Sequence, residues 1–536
     1  VHRRLPPGVS DSEFQTAVRR LRDVVGSDWV LIDDEDIGTY ADAYTPFRGD
    51  EAAEYVPSGA VAPTDVEQVQ KIVTIANDHR IPLWPVSTGR NLGYGGSAPR
   101  LSGTMVLDLK RMNRILEVNE PRAYALVEPG VSYFDFYRHL REHKLKLWMD
   151  CPDPGWGSLI GNAMDHGVGH TPFRDHFRSI CGMEVVLPNG DLLRTGAGAL
   201  PGGKQWNTFH YGYGPDVSQL FGQANFGIVT KAGFWLLPEP EASRSDQIFV
   251  PRHDDVHQFL DIMSSLVADF TLDCSWSLDS PLMASRDPQV RAAVERSDGE
   301  PSAELDQLSR EKGLPYWGTR VYFYGASNVI DAKWEYVKRR VSAIPGATFK
   351  TGNYWRFPAD YDHIPEGADG DMFAKEAVDI PSLSIFTGTG AARGHGHIFF
   401  SPIIQMSGDE LLSARKVLKQ AYRDLGIGRY NGIGGWAWFR CNLILLHVLP
   451  ITDDAEQNAR MREKGKQLIR IAAEHGWGEY RTPPVFMDEV MAAYSFNNHA
   501  SLRFLERIKD TLDPNGILAP GRSGIWPRQL RGRRYT

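Results

Sequence analysis

The sequence predicts an α+β protein of two domains in which the second interrupts the first. Three observations predict it. The chain is 536 residues long, more than one ordinary core holds. Up to about residue 240 helical and strand-like periodicities mix, and then Leu237-Pro-Glu-Pro240 and the polar stretch EASRSD punctuate the chain. Beyond that point apolar strands and helices suggest antiparallel sheet backed by helices, and from Trp477 aromatic and glycine density rises again, as if the chain returned to its first domain. The expected division is therefore 1–240, 241–477 and 478–536.

The elements follow in order. Thr64-Asp-Val-Glu67 reads as a capping box ahead of Val66, Val69, Ile72, Val73 and Ala76 at helical spacing, with a strand over 81–86 behind it. Apolar strands are expected at 104–109, 113–118 and 123–128, and Ser132-Tyr-Phe-Asp135 opens a further helix. Met183 to Thr195 reads as a hairpin turning at Asn189-Gly190 in a type I′ turn, with another strand over 228–237. In the second domain the expectations are strand 320–325, helix 328–341, strand 397–404, a helix capped by Ser407-Gly-Asp-Glu410, and an apolar run at 441–449. Residues 355–395 read as irregular, and a helix over 501–511 stops at Asp513-Pro-Asn-Gly516.

Composition bounds the function. The hydrophobic share is 42% and the charged share 24%, and no apolar run approaches the roughly 20 residues that cross a bilayer. With 59 basic and 67 acidic residues the net charge is -8, which disfavours nucleic acid or an anionic membrane as partner. The basic tail from Arg528 to Arg534 reads as a solvated end. Cys151, Cys181, Cys274 and Cys441 stand far apart, without zinc-like or CxxC spacing. The N-terminal stretch VHRRLPPGVSD has an Arg pair and no apolar run after it, so a cytoplasmic location is the expectation. Fourteen Trp, 20 Tyr and 24 Phe suit a pocket for planar ligands and equally suit ordinary cores.

The segment from Pro85 to Ala98, PVSTGRNLGYGGSA, sets four glycines after a strand, so its backbone N–H groups can converge on an anion. A dinucleotide-binding fingerprint would need a helix next, but Pro99 and the strand-like TMVLDL follow. On its own the loop reads equally as a structural turn or a phosphate cradle.

This loop does not stand alone. STGRNLGYGG, DCPDPGWGSLIGNAMDHGVGHTPFRDH, GMEVVLPNGDLLRTGAGALPG, FGIVTKAG, GHIFFSP, GWGEYRT and DPNGILAPGRSGIW occur in that order from about residue 55 to 527. Together they resemble the vanillyl alcohol oxidase and p-cresol methylhydroxylase family of flavoproteins, closest to its vanillyl alcohol and eugenol oxidases. The resemblance implies an FAD-binding fold built from the N-terminal part and the C-terminal tail, with an antiparallel-sheet cap domain inserted over the flavin ring. It implies FAD contacts from Ser87, Gly89, Arg90, Asn91, Gly93, Gly95 and Gly96. Further contacts would come from Pro152, Gly157, Ser158, Gly161 and Asn162, from Gly227, Ile228 and Val229, and from Arg522.

The resemblance also implies chemistry. His397 matches the histidine bonded to the flavin methyl group, so FAD is expected to be covalent; the plain alternative is that His395 and His397, two apart on a strand, form a packed or metal-binding pair. Tyr94, Tyr480 and Arg481 match the residues that bind a phenolate. Ionising a phenol at neutral pH requires its pKa to be lowered by about three units, or roughly 4 kcal/mol, which charge-assisted hydrogen bonds of roughly 1.5 to 3 kcal/mol each can supply. Asp153 matches a carboxylate beside the flavin, a base for water addition or proton loss; its plain reading is a turn residue beside proline. The expected reaction is hydride transfer from the benzylic carbon of a para-substituted phenol to flavin through a quinone methide, with O2 returning as hydrogen peroxide. The expected partners are thus a phenolic small molecule, O2 and further copies of the chain.

The sequence departs from the family at identifiable places. His170 stands where these oxidases commonly have a pocket tyrosine, Pro483 where they have histidine, and Trp436-Ala-Trp-Phe-Arg-Cys441, with Trp438 facing the pocket, replaces a histidine-containing segment. No histidine lies between Tyr40 and Ala60. These changes leave open a different phenol, a non-phenolic substrate or a flavin binder without turnover; separate alternatives are a cytochrome c-linked 4-alkylphenol methylhydroxylase and a metal hydrolase on His395 and His397.

Overall fold

A computed structural model describes residues 3–42, 44–91, 93–152, 155–360, 396–428, 430, 432 and 434–533. The first sheet takes β1 (Val30–Leu31), β2 (Gly59–Val61), β3 (Leu83–Val86) and β4 (Met105–Asp108) in the order β1-β2-β4-β3. Helix Val66–His79 connects β2 to β3, and both strands pair parallel to β4. Its cap is Asp65, whose carboxylate accepts the Gln68 N–H, rather than Thr64. The Gln68 side chain in turn accepts the Thr64 N–H, so the box sits one residue later than the S/T-x-x-E pattern suggests.

A second sheet is antiparallel. It contains β5 (Ile115–Asn119) and β6 (Tyr124–Val127); β7 (Leu147–Trp148) lies apart, and β8 (Ile180–Val186), β9 (Leu192–Arg194) and β10 (Ile228–Trp235) complete the order β5-β6-β10-β8-β9. Ser132 caps helix Tyr133–Glu142 through the reciprocal bonds of a capping box, as its spacing predicts. The hairpin between β8 and β9 forms, but not through a type I′ turn. Gly190 N–H donates to Leu187 C=O, and only Gly190, not Asn189, has positive φ (+88°). Pro188 at the second position favours a type I turn followed by a left-handed glycine.

After β10 the chain makes β11 (Leu237–Pro238), paired with β7, and then leaves the second sheet. EASRSD is largely strand. It opens β12 (Ala242–Val250), most of whose side chains are buried in the third sheet. There β13 (Trp276–Asp279), β14 (Trp317–Gly325), β15 (Thr348–Arg356), β17 (Ile403–Gln405), β18 (Gly435–Ala437) and β19 (Asn442–Ile444) join it in the order β15-β12-β14-β13-β18-β19-β17. The strand expected over 397–404 is two: Ser401 and Pro402 separate β17 from β16 (His397–Phe400), which pairs with β20 (His447–Pro450) in a ribbon of its own. Pro402 cannot donate to a continuous ladder. The apolar run 441–449 splits likewise between β19 and β20. Of the region read as irregular, 361–395 lies outside the described residues.

Among the described residues three large apolar cores form, beside two small clusters. One, with Phe14, Val73 and Leu107, also takes Ile517 and Leu518 from the chain's end. A second packs under the antiparallel sheet around Phe136, Met183 and Phe234. The third runs from Ala242 to Phe486 and holds Phe259, Trp276, Trp317 and Trp334. The four cysteines are free, and among the described residues no helix is long and apolar enough to cross a membrane.

Candidate active site

The parallel pairing of β3 with β4 delivers the chain at Val86 into the glycine-rich loop, and Leu518 bridges Leu83 on the other side. Between them opens a cavity of ≈ 320 Å³. Ser87, Gly89, Arg90, Asn91, Gly95 and Gly96 line it from the loop. Pro152, Gly157, Ser158, Gly161 and Asn162 line it from the turn and helix Leu159–Met164, and Gly227, Ile228 and Val229 from the start of β10. Arg522 reaches it from the C-terminal segment.

The lining is cut for close backbone approach. A Cβ on Gly161 would lie 2.2 Å from Ser87 Oγ, and one on Gly89 2.0 Å from Ser97 Oγ. Gly93 is not in the lining but stands behind it with φ +80°, and a Cβ there would meet the Phe399 ring at 2.4 Å and His397 Nε2 at 2.9 Å. His397 is thus in touch with the loop, and Phe399 N–H fixes the two strands of chain together by donating to Gly93 C=O at 3.1 Å. His397 is fully buried, and burial pulls its pKa down to about 4, so its ring is neutral at physiological pH.

At the other end of the cavity Tyr94, Tyr480 and Arg481 come together from positions nearly 400 residues apart. The tyrosine rings are edge-on at 6.5 Å, and the Arg481 guanidinium lies 4.6 Å from the Tyr94 ring and 5.6 Å from that of Tyr480. Tyr94 OH pairs with Ser401 Oγ at 2.7 Å, and Tyr480 OH donates to His166 C=O. Burial raises both hydroxyls against the pull of Arg481, Tyr480 up to about 12, so both stay protonated donors. Arg481 stays charged: burial opposes its charge most strongly, but Asp165, Tyr480 and Tyr94 together outweigh burial and raise its pKa. Arg481 Nε is buried without a hydrogen-bond partner among the described residues, a donor left over for a ligand.

His170 and Trp438 line the same end. His170 Nδ1 meets Ser275 Oγ at 2.8 Å, and the backbone N–H of His170 donates to Asp150 Oδ1. Trp438 stacks on Trp436 at 5.0 Å and 11°, and lies 6.3 Å from Tyr480, giving an aromatic wall. Pro483 precedes a tight turn at Pro484–Phe486, and Pro484 takes the place a side chain on Gly95 would need. Asp153 and His395 lie outside the described residues. Among those residues no group of three or more His, Cys, Asp or Glu could hold a metal ion.

Residue types alone leave three participants unmarked. Asp165 accepts hydrogen bonds from Asn91 at 2.8 Å and Arg481 at 3.1 Å and pairs with Arg522. Burial raises its pKa, yet the two guanidinium groups win and hold the carboxyl below the usual range. Ser401 orients Tyr94, and Glu479 Oε2 accepts the Ser401 N–H at 2.9 Å while burial pushes its carboxyl up to about 8. All three sit inside recognisable segments (MDHGVG, HIFFSP, GEYRT), which is the only signal the sequence carries for them.

Residues 57–196 match the FAD binding domain family, and residues 384–523 match FAD linked oxidases, C-terminal domain. The chain is 33% identical over 530 residues, 97% of both chains, to the 4-cresol dehydrogenase (hydroxylating) flavoprotein subunit of Pseudomonas putida. It superposes on 4-ethylphenol oxidase from Gulosibacter chungangensis, solved as an isoeugenol complex, with a TM-score of 0.84 and 35% identity, covering 98% of this chain and 100% of that one. On p-cresol methylhydroxylase with substrate bound the TM-score is 0.83 at 31% identity, covering 97% and 99%. Fold, cavity and matches define an FAD-linked oxidoreductase. The chain belongs to the vanillyl alcohol oxidase/p-cresol methylhydroxylase family. Its cavity fits that cofactor: bare glycine backbone and Ser87 at one end and buried aromatic donors at the other.

Proposed function

We propose that this protein oxidises para-substituted phenols at the benzylic carbon. The observation that carries the reading is the convergence of Tyr94, Tyr480 and Arg481 on one end of the cavity, with two protonated hydroxyls, one guanidinium and a spare Arg481 N–H. A phenol entering there gives up its proton because the resulting oxyanion gains a buried cation and charge-assisted hydrogen bonds. The phenolate then pushes electron density through the ring to the para carbon. Bound FAD supplies the hydride acceptor, with oxygen taking the electrons onward as hydrogen peroxide. Asp153 is read as the base that assists water addition to the quinone methide or proton loss from its side chain.

Gly89, Gly161 and Ser87 hold the cofactor's phosphates and ribityl chain by backbone approach, and Arg522 lies beside them. His397 is the attachment residue: its neutral imidazole, in contact with Gly93, is the form that can bond carbon. The likeness of the His397 segment to the histidine-attaching oxidases favours oxygen as acceptor, and a cytochrome is the second reading, favoured by the flavoprotein-subunit relative. The division into an FAD-binding part (1–240), a cap (241–477) and a C-terminal part (478–536) is supported by the change of core at Ala242 and by the return of Ile517, Leu518 and Ile525 to the first two cores, while the cap's own core reaches past 477 to Phe486.

The test is anaerobic mixing of the flavin-loaded protein with 4-ethylphenol, vanillyl alcohol and eugenol. Bleaching of the visible flavin absorbance is expected with at least one, followed by peroxide release when air is admitted. No bleaching by any of them ends the phenol reading. Bleaching without peroxide, relieved by cytochrome c, moves the acceptor to the second reading.

A further inference from the structure

A second cavity, of ≈ 280 Å³, lies against the first, and His170 lines both. Its floor is one face of the third sheet. Strand register places Gln247 opposite Arg320, Arg320 opposite Ser277, and Ser277 opposite Trp436, so these four form a single row across β12, β14, β13 and β18. All four line the cavity. Val321, the residue after Arg320, is wholly buried on the other face of the sheet. Beyond Gln247 the row continues to Lys350.

The row holds two cations and no carboxylate. One carboxylate does line the cavity: Asp279, two residues beyond Ser277 on β13, which accepts the Ser277 hydroxyl at 2.8 Å and whose pKa burial raises, while Asp246 on β12 is taken by Arg244. Among the described residues no ion pair joins Arg320 to an acid. The bland alternative is a solvated sheet face, where a lone arginine is ordinary. What departs from it is the enclosure: His170 and the Trp436 edge of the aromatic wall close this face into a cavity next to the phenol end of the first.

We infer that the second cavity is a substituent subsite for an anionic group, and that it takes the carboxylate end of a para side chain on a phenol bound in the first cavity. Resting on the proposed phenol reading, this narrows the substrate class to 4-hydroxyphenyl-alkanoic acids. The ring sits between Tyr94, Tyr480 and Arg481, the chain passes His170, and the carboxylate meets Arg320, whose planar fork matches it. Gln247 and Ser277 flank that position as uncharged hydrogen-bonding groups.

The experiment compares 3-(4-hydroxyphenyl)propanoic acid with its amide and with 4-propylphenol, as kcat/KM on the flavin-loaded protein and as calorimetric affinity without turnover. Wild type is expected to favour the acid over 4-propylphenol, and Arg320→Gln to reduce that ratio by about tenfold, the scale of one charge-assisted contact. Arg320→Lys should restore part of it, and the amide should show little dependence on residue 320. Equal or poorer use of the acid by wild type, or a ratio that Arg320→Gln leaves unmoved, overturns the inference. Failure of 4-propylphenol itself to bleach the flavin counts instead against the phenol reading, and the calorimetric ratio still decides whether Arg320 binds the carboxylate.

Discussion

Asp165 bonds Arg481 at 3.1 Å inside the protein and pairs at its other oxygen with Arg522. One buried carboxylate thereby ties the guanidinium proposed to bind phenol to the one beside the flavin cavity. It also sets the charge: two cations and one anion leave a surplus of one, which a single phenolate neutralises.

Asp165→Asn should therefore weaken both stability and catalysis. Removing one partner of a buried pair costs about 3–5 kcal/mol, read by urea unfolding. Misplacement of Arg481 should lower phenol kcat/KM by about 100-fold. Because the folded pKa of Asp165 is lowered, its stabilisation is present above the unfolded value near about 3.9 and fades as pH falls through the folded value. The stability gap between wild type and variant should hold at neutral pH and close only in strong acid. A gap that closes between neutrality and mild acid contradicts the assignment.

His397→Ala should still bind FAD but lose the covalent bond. After acid denaturation, flavin fluorescence should stay with the wild-type polypeptide and leave the variant. Fluorescence retained on the variant places the attachment elsewhere.

Gly93→Ala inserts a methyl group 2.4 Å from the Phe399 ring and 2.9 Å from His397 Nε2, at a φ of +80°. The backbone strain alone costs about 1–2 kcal/mol. The ratio of flavin to protein absorbance should drop sharply, and free FAD should not restore it. Full loading would mean that β16 yields.

His447 is fully buried among Phe400, Tyr422 and Tyr430, and burial lowers its pKa to about 3. A histidine kept neutral stabilises above its unfolded pKa and loses that contribution as pH falls toward the folded value. Between about pH 7 and about pH 5 the loss is about 2 kcal/mol. His447→Phe should remove it, so the variant's unfolding free energy should fall less than that of wild type over this range. Parallel slopes would show that His447 is not the proton acceptor.

How far the sequence speaks depends on whether a property is local. Ser132 and Ser407 cap their helices where expected because a cap is settled within four residues. The type I′ assignment at Asn189-Gly190 fails because Pro188, one residue earlier, selects another turn. The division of 397–404 into β16 and β17 depends on which strands arrive from 442–450, a long-range pairing that hydrophobicity does not encode. Tyr94, Tyr480 and Arg481 are legible only through resemblance, since nothing in either segment alone announces the other. Asp165 is the clearest omission: it acts by standing between two arginines, and betweenness is not a property of a residue type.

The pairing of the chain's end with β3 bears on how the protein is made. Leu83 N–H donates to Ile517 C=O, Ala519 N–H donates back to Leu83, and a wholly buried Lys509–Asp513 pair braces the connection. The strand that leads into the glycine loop thus has its neighbour on this side supplied from more than 430 residues later. During synthesis the ribosome releases β3 long before Ile517, so this edge of the strand is paired only after the chain has emerged as far as Ala519. Nascent chains stalled short of that point carry an unpaired edge at Leu83 for chaperones to hold.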